Sequence, residues 1–226
     1  MRVLIRYARS GPARYISHLD MQRVFARAIR RSGITVEYSQ GFNPHILMSF
    51  ASPLSVGYAT EADYLELMVG AGEDLGSIGA RLNDAMTGDI EVTFAGSLEN
   101  IKGKLMALNH SAAYRIAFAL ENAHDCDKIE KAVHEIMDSG EYIVKDRKGR
   151  EKDIAALILQ AAVQGDTVNT VLKNSSVAAM NPRLFVDAVL DGTGLTAACA
   201  ITRTECYACY DGKTVPFSDL CGKPDA

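Results

Sequence analysis

The chain has 226 residues, enough to bury one large core or two of ordinary size, and its 48% apolar and 23% charged content is that of a folded globular protein. No apolar run approaches the roughly 18–20 residues needed to span a bilayer, and the longest, Ile154 to Val163, is interrupted by Gln160. The net charge of −4 conceals two opposed segments: residues 1–50 hold eight Arg and no Lys against Asp20 and Glu37, whereas residues 51–100 hold nine acids against Arg81. That division either offers a basic face to a polyanion or lets the two segments neutralise each other inside one domain. Met1-Arg2-Val3 leads straight into an alternating segment with no signal core. A cytoplasmic location is therefore expected, with the five cysteines as reduced thiols.

Residues 2–8 alternate, with Val3, Ile5 and Tyr7 against Arg2, Leu4 and Arg6, and predict a strand. After a turn at Gly11-Pro12, Ser17 opens a helix as N-cap, with Asp20 at the capping-box position and Ile16 and Met21 placed for a hydrophobic staple. Met21, Val24, Phe25, Ala28 and Ile29 form its apolar stripe and Gly33 ends it. Residues 34–38 predict a second strand, Gly41 to Ser55 a structured loop feeding a strand, and Ala62 to Val69 a further strand. Leu75, Ile78, Leu82 and Met86 are spaced for a helix, and Ile90 to Phe94 closes a β-α-β-β-α-β order.

Residues 96–110 serve as a connector, after which the pattern nearly repeats. Tyr114 to Leu120 alternates; Asp127 is placed to cap a helix with Glu130 at the box position and Gly140 at its end. Tyr142 to Val144, Ile154 to Leu159 and Val168 to Leu172 predict strands, with turns at Lys148-Gly149 and Gly165-Asp166. Asn181-Pro182 starts a helix with Leu184, Phe185, Ala188 and Val189 inward and Gly192 as its stop; Ile201 to Ala208 is the last strand expected. The expected class is α+β, as two tandem ferredoxin-like (split βαβ) units, the second with an extra strand, at 1–96 and 108–226.

Three groups of residues invite chemistry. Arg23, Arg27 and Arg30 or Arg31 fall at helical spacing opposite Met21, Phe25 and Ala28. A solvated face is the plain alternative, but such faces usually mix Lys with Glu, and guanidinium forks suit phosphate. Arg2, Arg6, Arg9 and Arg14 would extend an RNA-tracking surface if they lay nearby. The second group is His18, Asp20, Asn43 and His45. Brought together, they would form a recognition pocket or an acid–base or metal constellation; otherwise Asp20 serves the cap and Asn43-Pro44 shapes a turn. The third is Cys199, Cys206, Cys209 and Cys221. A separation of three along one strand sends Cys206 and Cys209 to opposite faces, which favours separate thiols over a metal site. Phosphate-binding and dinucleotide-binding glycine loops, the serine-hydrolase elbow and the three-cysteine radical-SAM cluster are absent from the sequence.

The stretch Arg14-Tyr15-Ile16-Ser17-His18-Leu19-Asp20, then Arg23, Arg27-Ala28, Arg30-Arg31, Gly41-Phe42-Asn43-Pro44-His45, Ser49-Phe50-Ala51, Pro53-Leu54 and Glu61-Ala62-Asp63-Tyr64, resembles a bacterial family of unknown function linked to radical-SAM proteins. The chain departs from that pattern after His45, where Ile46-Leu47 stand in place of Pro and a basic residue. Members of the family stand alone or form the C-terminal part of radical-SAM proteins, so the resemblance implies a radical-SAM protein as partner. The tandem architecture is also similar to that of CRISPR RNA-processing endonucleases, a likeness of fold that does not fix function. The expected function is an accessory protein that binds RNA, of transfer or ribosomal type, through Arg14, Arg23, Arg27, Arg30 and Arg31, with no cofactor. The alternatives are an RNA-processing hydrolase using His18 and His45, and a protein-docking module without nucleic-acid binding.

Overall fold

A computed structural model describes residues 1–145 and 149–221; Lys148 of the expected Lys148-Gly149 turn lies outside them. In chain order the elements are β1 (Arg2–Arg9), α1 (His18–Ser32), β2 (Met48–Phe50), β3 (Ala59–Met68), α2 (Leu75–Ala85), β4 (Ile90–Ser97) and α3 (Leu105–Leu108). They continue with β5 (Asn109–Ala119), α4 (Asp125–Asp138), β6 (Ile143–Lys145), β7 (Glu151–Asp153), β8 (Ile158–Gln164), β9 (Thr167–Lys173), α5 (Pro182–Thr193), β10 (Ala198–Tyr210) and β11 (Lys213–Pro216). The fold is α+β. It divides into two compact units, residues 1–110 with 205–226, and residues 111–204.

In the first unit β1 pairs antiparallel with β4 on one edge and β3 on the other, and β2 pairs antiparallel with β3. Helix α1 forms as the sequence dictates: the Ser17 hydroxyl accepts the Asp20 N–H, and Gly33 ends the helix in the left-handed conformation at φ 68°. Its buried stripe is Met21, Phe25, Ala28 and Ile29, and it shares a core with Val3, Ile5 and Tyr7 of β1. Phe25 meets Tyr7 edge-on at 4.8 Å and Phe50 at 5.6 Å, and His18 meets Phe50 at 5.3 Å. Residues 34–38 form bridges rather than the expected strand, at Val36–Val69 and Tyr38–Ile46. The segment divides its hydrogen bonds between two partners: the Glu37 N–H donates to the Met68 carbonyl, and the Glu37 carbonyl accepts from Leu47. No single ladder can then propagate.

Strand β1 is buried on both faces, which is why its burial breaks the alternation of its sequence. Leu4, Arg6, Tyr64 and Glu66 share the face away from α1, because Leu4 opposes Glu66 and Arg6 opposes Tyr64 in register. The end of the chain covers that face. Tyr64 donates to Glu205 at 2.7 Å, Phe217 packs on the Tyr64 ring at 5.3 Å, and Tyr210 donates to the Asn100 carbonyl. Burial raises the pKa of both the Tyr64 phenol and the Glu205 carboxyl. The expected division at residues 96–108 placed all of the C-terminal half in the second unit. Residues 205–221 instead return to the first, held by these contacts. Strand β10 is also not the last: Asp211 and Gly212 at φ 48° and 74° turn it into β11.

In the second unit the order is β10-β5-β9-β8, with β5–β9 and β8–β9 antiparallel. The extra strand expected there belongs to a separate β6–β7 ribbon. Ile154 to Leu159 is not one strand, since the Asp153 carboxylate accepts the N–H of both Tyr142 and Ala155 and bends residues 155–157 into a 3-10 turn before β8. Helix α4 begins before the expected Asp127 cap, and its buried Asp125 is tied to Lys128 at 2.7 Å. Helix α5 runs past Gly192 to a left-handed Gly194 cap. Gly192 serves packing: a Cβ there would lie 3.4 Å from that of Ala132 on α4. Among the described residues no helix is long and apolar enough to cross a membrane.

Phe217 is fully buried against Tyr64. Replacing it with Ala is expected to cost about 3–5 kcal/mol, read as a lowered urea midpoint. A surface-like loss of a few tenths would mean that the chain end does not complete the first core.

Candidate functional site

The position of α1 on its sheet decides where its arginines go. With Met21, Phe25 and Ile29 turned into the core, Leu19, Gln22, Arg23, Ala26, Arg27 and Arg30 form the outward strip at helical spacing. These six, with His45, Ile46 and Met48, line an open groove of about 590 Å³. Leu19, Ala26 and Met48 supply apolar surface above the buried Ile46, while the guanidiniums and one imidazole supply charge and donors. Arg23 is paired with Asp20 at 2.7 Å, both largely exposed. Arg27 and Arg30 are exposed and have no hydrogen-bond partner among the described residues.

His45 reaches the groove from a short, fastened loop. The Ser39 N–H donates to the His45 carbonyl at 2.9 Å, the His45 N–H donates to Ser39 Oγ at 3.1 Å, and that hydroxyl contacts His45 Nδ1 at 2.7 Å. The Ser39 hydroxyl, which accepts the backbone N–H through one lone pair, can donate to Nδ1 or accept from it according to the ring's tautomer. With Nδ1 engaged by Ser39, Nε2 is the ring nitrogen left to meet a ligand. Asn43 is exposed in the bend before Pro44.

The other expected residues divide plainly. His18 is not among the groove's lining residues; it stands edge-on to Phe50 and bonds through Nε2 to the Gln22 amide at 3.2 Å. Asp20 is used in the cap, where the hydrogen bond from the Ser17 hydroxyl and then that from Arg23 hold its carboxyl below the ordinary aspartate range. The pocket of His18, Asp20, Asn43 and His45 is thus represented in the groove by His45 alone. Arg31 donates to the Ala85 carbonyl and lines a different depression beside α2 with Arg81 and Asp84. Arg14 lies over the ring of Tyr15 at 4.9 Å, outside the groove.

The flanking arginines do not extend this surface. Arg2 pairs with Glu66 at 2.8 Å and Arg6 with Glu205 at 3.5 Å on the far side of β1. Arg9 is buried and donates to the carbonyls of Ile16 and Tyr58. Cys206 is buried and Cys209 exposed, as their separation along β10 requires. No group of three His, Cys, Asp or Glu side chains is placed to hold a metal among the described residues. Sequence reasoning missed Ser39, whose clasp on His45 is made by two unremarkable positions six residues apart, and the apolar wall at Ile46 and Met48.

A bacterial family described as "Uncharacterized protein conserved in bacteria (DUF2344)" matches residues 2–182. No curated protein matches the chain. Of solved structures, a chain of a Cbf5-Nop10-Gar1 complex aligns at 12% identity and TM-score 0.50 over 90% of this chain and 48% of its own length. This chain therefore spans about half of that one, and the likeness is one of fold. A second, an unknown protein from Galdieria sulphuraria, aligns at 14% identity over 89% of this chain and 97% of its own, with a TM-score of 0.26 that carries no structural argument.

Replacing Ser39 with Ala is expected to shift the tautomer balance of His45. In nitrogen-15 spectra the Nδ1 and Nε2 resonances of the neutral ring should move, while those of His18 stay in place. Unchanged His45 resonances would show that Ser39 does not engage the ring.

Proposed function

We propose that this chain, which belongs to the bacterial family DUF2344, is an accessory protein that binds RNA through the groove along α1 and acts with a radical-SAM enzyme. The observation that carries the RNA reading is the row Arg23, Arg27 and Arg30 on one groove with His45. Like charges three and four residues apart on a helix destabilise it by roughly 0.2–0.5 kcal/mol per pair, and Asp20, which pairs with Arg23 and also acts on Arg27, stands at one end of the row. A polyanion would relieve that repulsion and bring its own counterion-release gain. The strand orders β4-β1-β3-β2 and β10-β5-β9-β8 support reading both units as split βαβ arrangements, a fold that serves many functions and so adds no argument for RNA. The radical-SAM partner is supported by the motif resemblance around Ser17–Asp20 and Gly41–His45.

The hydrolase reading needs both imidazoles over one substrate, and the groove is lined by only one of them. A docking module would present a broad apolar patch, whereas the apolar residues of this groove are interleaved with guanidiniums.

RNA affinity is expected to fall with salt, and the double substitution Arg27→Ala, Arg30→Ala to reduce the slope of log K against log salt by about 1.4 for a single strand. Arg31→Ala, lying off the groove, should leave that slope nearly unchanged. Equal effects at Arg30 and Arg31, or no binding of cellular RNA at low salt, would count against the proposal.

A further inference from the structure

Phe42 is the most exposed large apolar side chain among the described residues, its ring wholly in solvent. It stands on the same loop as His45, and the loop is fixed. Ser39 and His45 close it through three hydrogen bonds, and Tyr38 and Ile46 bridge just outside them. Within the loop Gly41 takes φ 126°, a conformation L side chains rarely adopt, and Pro44 restricts its own φ and the residue before it. The chain therefore presents a bare aromatic ring on a constrained turn, three residues from an imidazole that enters a groove bearing three guanidiniums. Tyr38, at the base of the loop, is exposed as well.

A fully exposed phenylalanine forgoes the roughly 1.5–3 kcal/mol that burying such a side chain provides, so its occupant should be flat, apolar on its faces and charged nearby. An unstacked nucleobase joined to phosphate has that combination, with the phosphate on the arginine row and a base face on the ring. In a duplex the base faces are already stacked and unavailable.

We infer that the Ser39–His45 loop is a base-reading element: Phe42 stacks on an unpaired base of a single-stranded nucleic acid whose phosphates lie along Arg23, Arg27 and Arg30, with His45 Nε2 meeting the same nucleotide. The inference rests on the RNA-binding proposal and narrows its ligand to unpaired strands.

The sequence contains no tryptophan, so Phe42→Trp creates a single fluorescent reporter at the loop tip. A short oligoadenylate RNA should quench it through stacking. The same sequence as DNA separates a base-only contact, which quenches equally, from one that also senses the ribose hydroxyl, which favours the RNA; either supports the inference. Inorganic polyphosphate should compete for the groove without quenching, and a paired RNA duplex should quench little. Phe42→Ala should weaken single-strand binding by roughly 5- to 150-fold while leaving the salt slope in place, because no phosphate contact is lost. Single-strand binding unaffected by Phe42→Ala, or equal quenching by polyphosphate, would overturn this inference and leave the arginine groove standing. Absence of binding by every polyanion at low salt would overturn both.

Discussion

The packing of α1 against β1 governs where the arginines of the N-terminal segment come to lie. Met21, Phe25 and Ile29 enter the same core as Val3, Ile5 and Tyr7, and the Tyr7–Phe25 edge contact fixes the rotation of the helix about its axis. Each such side chain gains about 1.5–3 kcal/mol by burial, several times the repulsion within the arginine row. The helix therefore cannot turn to spread its charges. Arg23, Arg27 and Arg30 stay in line because the core holds them there.

The same sheet explains why an arginine-rich segment yields a local basic groove rather than a basic protein. Alternation along β1 sends Arg2 and Arg6 to the face away from α1, where Glu66 and Glu205 neutralise them. On α2, Arg81 is taken by Glu73, whose carboxylate also accepts the Thr35 N–H and is held below the ordinary glutamate range by those bonds. Mutual neutralisation and an exposed basic row, which stood as rival readings of the charge division, both occur in one unit.

Much of this was legible because it is local. The Ser17 cap, the Met21–Ile29 stripe, the Gly33 stop and the spacing of the arginines are all set by residues within a few positions of one another. What could not be read depends on distant partners. Arg30 and Arg31 are neighbours with the same side chain, and only the position of Ala85 on α2 tells which one is diverted. The return of residues 205–221 to the first unit depends on Tyr64 and Asn100, more than a hundred positions away. The 3-10 turn before β8 hangs on one carboxylate, Asp153, that hydrophobic periodicity does not register.

The two N-terminal motifs thus separate by what holds their histidines. His18 sits at the first turn of α1, backed by Phe50 and bonded to Gln22, so its ring is an outer member of the chain Tyr7, Phe25, Phe50 that builds the core. Its motif starts a helix and points it. His45 is held from outside the core, by a serine across a seven-residue loop, with one nitrogen engaged and the other on the groove. Its backbone N–H and its Nδ1 meet the same hydroxyl. That double attachment fixes the direction of the ring and leaves Nε2 as the nitrogen available to a ligand.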